Sequence, residues 1–88
     1  MRDDNTTWRK AIAAEMKNHP GEELVAVTLT DTELDTEFDS GYGGSRGAPF
    51  TAWSQNRVYF PVVYDGAEWV GSVPRNPCNE ATAHLGGE

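Results

Sequence analysis

The sequence predicts a small α+β protein in which an N-terminal helix packs on an antiparallel β-sheet. The helix is indicated by apolar residues that recur every four positions, at Trp8, Ile12 and Met16. The sheet is indicated by an Asp65-Gly66 pair that separates two runs rich in β-branched and aromatic residues. The length of 88 residues allows one domain, residues 1–88, and no second domain or repeat is visible.

The first element is expected to be a helix that begins at a polar residue and ends at a proline. Asp4 or Asn5 can cap its N-terminus, and Ala11 widens the apolar stripe. Pro20 disfavours helical geometry in the residue before it, and Gly21 opens a turn. Residues 24–29 (LVAVTL) then predict a mostly buried strand.

Residues 31–39 allow two interpretations. Their acids alternate with Thr, Leu and Phe, which is the period of a strand. Against this, Thr30 and Glu33 have the spacing of a capping box, and Leu34 and Phe38 stand four residues apart as on a helix. We favour a short helix, and both geometries leave the carboxylates exposed beside a small apolar stripe.

The second half of the sequence predicts a β-meander. After a glycine-rich loop at 41–47, strands are expected at 50–53, 57–64 and 67–73. The two-residue Asp-Gly loop is typical of a type I′ turn and fixes the register so that Tyr64 pairs with Ala67. Pro61 lacks a backbone donor, so its strand should lie at an edge or carry a bulge there. Residues 75–88 are expected to form an irregular tail.

That register collects most of the large apolar side chains on one face, which we expect to be the core face. The strand residues expected to pack under the helix are Val25, Val27, Val58, Phe60, Val62, Trp69 and Val73, and the same hairpin face also carries Tyr64 and Ala67. Gly71 stands opposite Phe60 and would leave bare backbone for its ring.

The charge of the chain is concentrated in one segment. The sequence has 14 acidic and 7 basic residues, a net charge of −7, and residues 18–45 hold seven acids without one Lys or Arg. A general nucleic-acid binder is excluded, because binding phosphates needs Lys and Arg clusters. The segment instead predicts a binding face for a basic partner protein. Its candidate residues are Asp31, Glu33, Asp35, Glu37 and Asp39.

Neither catalysis nor a cofactor is predicted. Cys78, His19 and His84 are the only soft metal ligands, fewer than the four of a structural zinc site, so no metal is expected. No motif positions a nucleophile beside a base, and we expect no enzyme activity. No apolar run approaches the ~18 residues of a membrane span, and a single cysteine fits a reducing cytoplasm. The sequence does not specify an oligomeric state.

The glycine-rich loop offers a second kind of site. Backbone N–H groups of residues 41–47 can approach a phosphate, and Tyr42, Arg46 and Trp53 could add stacking and charge. The loop matches neither a P-loop nor a dinucleotide fingerprint. A module that sequesters a nucleotide signal is therefore the alternative function.

The C-terminal half resembles small, uncharacterised proteins encoded by phages and prophages. The resemblance lies in residues 38–44 (FDSGYGG), 49–53 (PFTAW), 57–70 and 72–77 (SVPRNP). It implies an accessory role during infection, and small acidic phage proteins are often inhibitors of host defence, including anti-CRISPR proteins that imitate DNA. The expected function is inhibition of a basic, nucleic-acid-handling host protein in the bacterial cytoplasm. A phage structural or assembly protein is the other alternative that the resemblance allows.

Overall fold

A helix lying on a four-stranded antiparallel sheet forms the body of the molecule, and a second, short helix lies beside them. The computed structural model describes residues 5–39, 47–64 and 67–85. The elements in these residues are β1 (Asn5–Thr6), α1 (Trp8–Met16), β2 (Leu24–Val27), α2 (Asp31–Leu34), β3 (Phe38–Asp39), β4 (Ala52–Ser54), β5 (Arg57–Tyr64) and β6 (Ala67–Pro74). This arrangement confirms the predicted α+β class.

The N-cap of α1 is Thr7, so the prediction of Asp4 or Asn5 was wrong. The Thr7 hydroxyl accepts a hydrogen bond from the Lys10 backbone N–H at 3.2 Å. Asn5 pairs with Asp39 in the small β1–β3 sheet, which holds its backbone extended. The chain therefore becomes helical only after Thr7, and Asp4 lies outside the described residues.

The large sheet has the strand order β2-β4-β5-β6. The β5–β6 ladder pairs Tyr64 with Ala67 and Phe60 with Gly71, which confirms the register predicted from the two-residue loop. The loop residues themselves lie outside the described ranges. The β4 ladder reaches only two residues of β5, both before Pro61, and Pro61 therefore lies on a part of β5 that β4 does not cover.

Two strand predictions need correction. The strand expected at 50–53 is β4, shifted to Ala52–Ser54. The strand expected at 24–29 is the shorter β2, and it is largely exposed rather than buried. β2 stands at one end of the sheet and pairs only with β4 among the described strands, so it lacks a neighbour that would bury it.

The helix packs on the face of the sheet opposite to the predicted one. The buried cluster consists of Trp8, Ile12, Leu34, Phe50, Ala52, Tyr59 and Val70. Val58, Phe60 and Val73 point to the outer face and are half-buried, Val62 is 7 % exposed, and Trp69 is 38 % exposed. On the helix, Trp8 and Ile12 are buried as predicted, and Met16 is half-buried.

The polar residues of β5 and β6 explain this choice of face. Arg57 and Ser72 both lie on the inner face and are buried there, with their partners on α1 and in the C-terminal segment. Buried polar groups must be hydrogen-bonded, and α1 supplies the Glu15 carboxylate that satisfies Ser72. The inner face is therefore selected by matched polar contacts and not by apolar content alone.

The C-terminal segment has no regular secondary structure over the described residues 75–85, as predicted for a tail, yet it contacts the sheet. Arg75 donates to the Ser54 carbonyl at 2.8 Å, and Glu80 forms an ion pair with Arg57 at 3.1 Å. The Leu85 side chain lies over Gly71 on the outer face, so closely that a Cβ there would stand 2.8 Å from Leu85 Cδ1.

Candidate acidic binding face

The acidic segment is organised by the helix α2. The Thr30 hydroxyl accepts a hydrogen bond from the Glu33 backbone N–H at 3.2 Å, and Glu33 Oε1 accepts one from the Thr30 N–H at 2.8 Å. This capping box confirms the helical interpretation for Asp31–Leu34. The helix is shorter than predicted, because Phe38 and Asp39 pair with β1 as a strand. Leu34 is buried and anchors α2 to the core.

Arg9 of α1 partly neutralises this segment. Its guanidinium bonds Asp35 Oδ1 through Nε at 2.6 Å and Asp31 Oδ1 through Nη2 at 3.3 Å. The hydrogen bond from Arg9 holds the pKa of Asp35 below its ordinary value, and the two carboxylates raise the pKa of Arg9. This basic partner comes from another element and not from a position four residues along the same helix, so the sequence of the acidic segment does not show it.

The predicted acidic residues otherwise remain open to solvent. The Asp31 side chain is 94 % exposed and the Asp35 side chain 60 % exposed, in spite of their contact with Arg9. Glu33 and Glu37 are also exposed, and Asp39 lies in β3 opposite Asn5. The structure therefore places the carboxylates of Asp31, Glu33, Asp35 and Glu37 on and just after one short helix.

A small cleft of about 210 Å³ lies beside these carboxylates. Trp8, Phe38 and Gly47 contribute to its walls, and Glu33 and Glu37 also line it. Trp8 and Phe38 are in contact, with ring centroids 4.6 Å apart. A cleft with aromatic walls and carboxylates matches the two parts of a lysine or arginine side chain, which has an apolar stem and a charged end. The helical spacing predicts Trp8 as a core residue, and nothing in the sequence connects it with the acidic segment.

The glycine-rich loop is described only at its end. Tyr42 and Arg46 lie outside the described residues, and Trp53 is half-buried in β4. The Gly47 backbone N–H donates to the Glu68 carboxylate, at 3.2 Å to Oε1 and 3.3 Å to Oε2. A carboxylate at this N–H repels a phosphate, so Gly47 contributes no donor to the alternative nucleotide site.

A second polar cluster joins α1 to the sheet. Ser72 Oγ donates to Glu15 Oε2 at 2.6 Å, accepts from Arg57 Nε at 2.9 Å and lies 3.3 Å from His19 Nε2. Glu15 Oε2 contacts the same imidazole nitrogen at 3.3 Å. In a catalytic triad the serine and the carboxylate contact different nitrogens of the histidine, and the hydroxyl proton is directed to that ring. This cluster instead directs the proton to a carboxylate, and Ser72 is buried at 5 % exposure.

The carboxylates around this cluster hold loops in place. Glu22 accepts hydrogen bonds from the Ser54 hydroxyl and from the Asn56 backbone and side chain, which lower its pKa. The hydrogen bond from Arg57 likewise lowers the pKa of Glu80. A surface pocket of about 570 Å³ lies between these residues and the proline-rich start of the C-terminal segment.

Within the described ranges, no group of three or more His, Cys, Asp and Glu side chains is placed to hold a metal ion. The same residues contain no helix of the length and apolar character needed to cross a membrane. Comparison of the chain with protein-family models, with curated proteins and with solved structures gives no match. The site must therefore be interpreted from its own chemistry.

Proposed function

We propose that this chain is a binding protein that attaches to a basic protein through the acidic binding face, defined as Asp31, Glu33, Asp35 and Glu37 around α2. The observation that carries the proposal is the cleft beside Trp8, where Glu33 and Glu37 stand next to aromatic carbon. A lysine or arginine of the partner would place its stem against Phe38 and its charge at these carboxylates.

The charge of the whole chain supports the same partner. A net charge of −7 attracts a basic surface over a longer range than the contacts themselves, which raises the association rate. Arg9 contributes by holding Asp31 and Asp35 in fixed positions while leaving both more than half exposed. Carboxylates fixed in this way need less ordering when the partner binds.

The finer part of the proposal concerns the class of partner. Proteins that handle nucleic acids carry basic grooves for phosphates, and an array of carboxylates on a folded scaffold can occupy such a groove. The proposed role is inhibition of such a host protein, of the anti-CRISPR kind implied by the resemblance to small phage proteins. Competition between this chain and a DNA duplex for the captured partner tests that part separately.

The test is affinity capture from a bacterial lysate with the wild-type chain, followed by measurement of the salt dependence of the captured complex. We expect a basic protein that is released as ionic strength rises, because salt screens contacts between exposed charges. The double variant Asp31→Asn/Glu37→Gln should lose the partner. A capture that is insensitive to salt and to this variant would refute the acidic binding face.

A matched control separates the local effect from the change in net charge. Asn79→Lys/Thr82→Lys raises the net charge by the same two units, at exposed positions of the C-terminal segment. It should retain the partner at low salt. If both double variants lose the partner equally, net charge alone explains binding and the assignment to α2 is wrong.

A further inference from the structure

Among the described residues, the strand β2 has one edge without a pairing strand. It stands at one end of the four-stranded sheet, and β4 is its only partner among the described strands. The Thr28 N–H donates to the Thr51 carbonyl at 3.0 Å, toward β4. Because alternate residues in an antiparallel strand direct their peptide groups to opposite sides, the N–H and C=O of Val27 face away from β4. Such groups can accept another extended chain.

The side chains of β2 do not protect this edge. Proteins commonly block an edge strand with lysine or proline, and Leu24–Val27 contains neither. Val25 is 59 % exposed and Leu24 is 39 % exposed. A register shift between Leu24 and Ala26 leaves Val25 as the extra residue of a bulge. The bulge confines regular pairing to the part of the strand from Ala26 onward, so an added ladder would be short.

Carboxylates flank β2 on both sides in the sequence. The exposed Glu23 precedes it, and the acidic binding face follows it after three residues, whereas the Glu22 carboxylate is directed to Ser54 and Asn56 on the β4 side. The strand at the opposite end of the sheet, β6, is followed directly by Arg75. Charge therefore favours β2 as the edge that receives a basic segment.

We propose that β2 binds an extended segment of the partner, in which apolar residues alternate with lysine or arginine, as a fifth strand of the sheet. Backbone hydrogen bonds to Val27 would supply part of the affinity, and the exposed Val25 would contact the apolar residues of the segment. The basic residues would pair with the flanking carboxylates. This inference rests on the proposed function and specifies how the partner is held.

The test uses two synthetic octapeptides of equal charge. One alternates lysine and valine, and the other has the same sequence with every peptide nitrogen methylated, which removes its N–H donors and keeps its side chains. We expect the first to bind about tenfold more tightly, since it can donate to the Val27 carbonyl and the N-methyl groups of the second also hinder the approach of its carbonyls to the Val27 N–H. Amide hydrogen exchange of Val27 should slow when the first peptide binds.

Matched variants locate the contact. Val25→Lys should abolish the difference between the two peptides, while Val63→Lys, at a residue that is 39 % exposed on β5, should preserve it. Equal binding of both peptides to the wild-type chain would overturn strand addition and leave the acidic binding face standing. Failure of both peptides to bind would overturn the strand proposal together with the proposed function.

Discussion

Replacing Gly47 by alanine should destabilise the fold, because the Trp8 indole occupies the space that a Cβ would need. A Cβ built at Gly47 lies 2.7 Å from Trp8 Cε2 and 2.9 Å from Nε1. Trp8 Cζ2 lies nearer still to that Cβ, so restoring an ordinary contact of 3.4 Å requires the ring to move by about 1 Å. Trp8 is 2 % exposed, and its ring contacts those of Phe38 and Phe50, with centroid distances of 4.6 and 4.8 Å. Its Nε1–H also donates to the Ala48 carbonyl at 2.9 Å.

The contacts around Trp8 set the size of the expected loss of stability in Gly47→Ala. Overpacking of this kind destabilises the folded state by about 1–3 kcal/mol. Alanine also restricts the unfolded chain more than glycine does, which stabilises the folded state by about 0.4–1 kcal/mol. The free energy of unfolding should therefore fall by about 1–2 kcal/mol in Gly47→Ala, which lowers Tm by about 5–15 °C in a domain of this size. Urea unfolding followed by far-UV circular dichroism measures the change.

A double-mutant cycle with Trp8→Leu isolates the clash. Leucine lacks the indole atoms that crowd Gly47, so Gly47→Ala should cost almost nothing in that background, although Trp8→Leu alone costs about 3 kcal/mol. The expected coupling free energy is about 1–2 kcal/mol. An equal cost of Gly47→Ala in both backgrounds would refute the argument, because the loss would then come from the backbone of residue 47 itself.

Three further predictions concern the cap, the core face and acid. Thr30→Ala removes the capping box of α2 and should lower the free energy of unfolding by about 1 kcal/mol, as measured by urea unfolding. Thr30→Ser should retain most of the wild-type stability. Val70→Ala should lower the free energy of unfolding by about 2 kcal/mol in the same assay, because Val70 is buried at 2 % exposure. Val58→Ala should lower it by less, because Val58 is only half-buried. The reverse order would place the core on the other face of the sheet. Asp35 and Glu22 have pKa values in the folded state below their ordinary values of 3.8 and 4.5. Their contributions to stability are therefore complete above the ordinary pKa values and are lost as the pH falls through the folded-state pKa values. Urea midpoints measured from pH 7 downward should therefore fall less steeply in acid for Glu22→Gln than for wild type, and identical acid slopes would contradict the role of Glu22.

Local patterns in the sequence were sufficient to predict several elements of the structure. The two-residue loop fixed the β5–β6 register, since a turn of that length leaves one pairing. The spacing of Thr30 and Glu33 was sufficient to favour a helix at Asp31, and the structure forms the capping box. In each case the deciding contacts join residues that are close in the chain.

Long-range polar contacts account for the wrong prediction of the core face. Both faces of the β5–β6 hairpin carry apolar side chains, and the outer face carries more of them, so apolar content favoured the wrong one. The contact that decides it joins Ser72 to Glu15 across 57 positions, and the sequence has no local sign of that pairing. The Arg9 contacts with Asp31 and Asp35 are of the same long-range kind, spanning 22 and 26 positions.

The packing of α1 has a consequence for the order in which the molecule can fold during synthesis. The helix is made before the four-stranded sheet, but Trp8 packs against Phe50 and α1 contacts β6, the last strand of that sheet in chain order. Until β6 has left the ribosome, the apolar stripe of α1 lacks the strand that it contacts most, and a helix of nine residues is marginal in water by itself. The acidic residues of α2 therefore gain their complete scaffold only after β6 has been made, and a peptide limited to residues 18–45 would carry their charge without that scaffold.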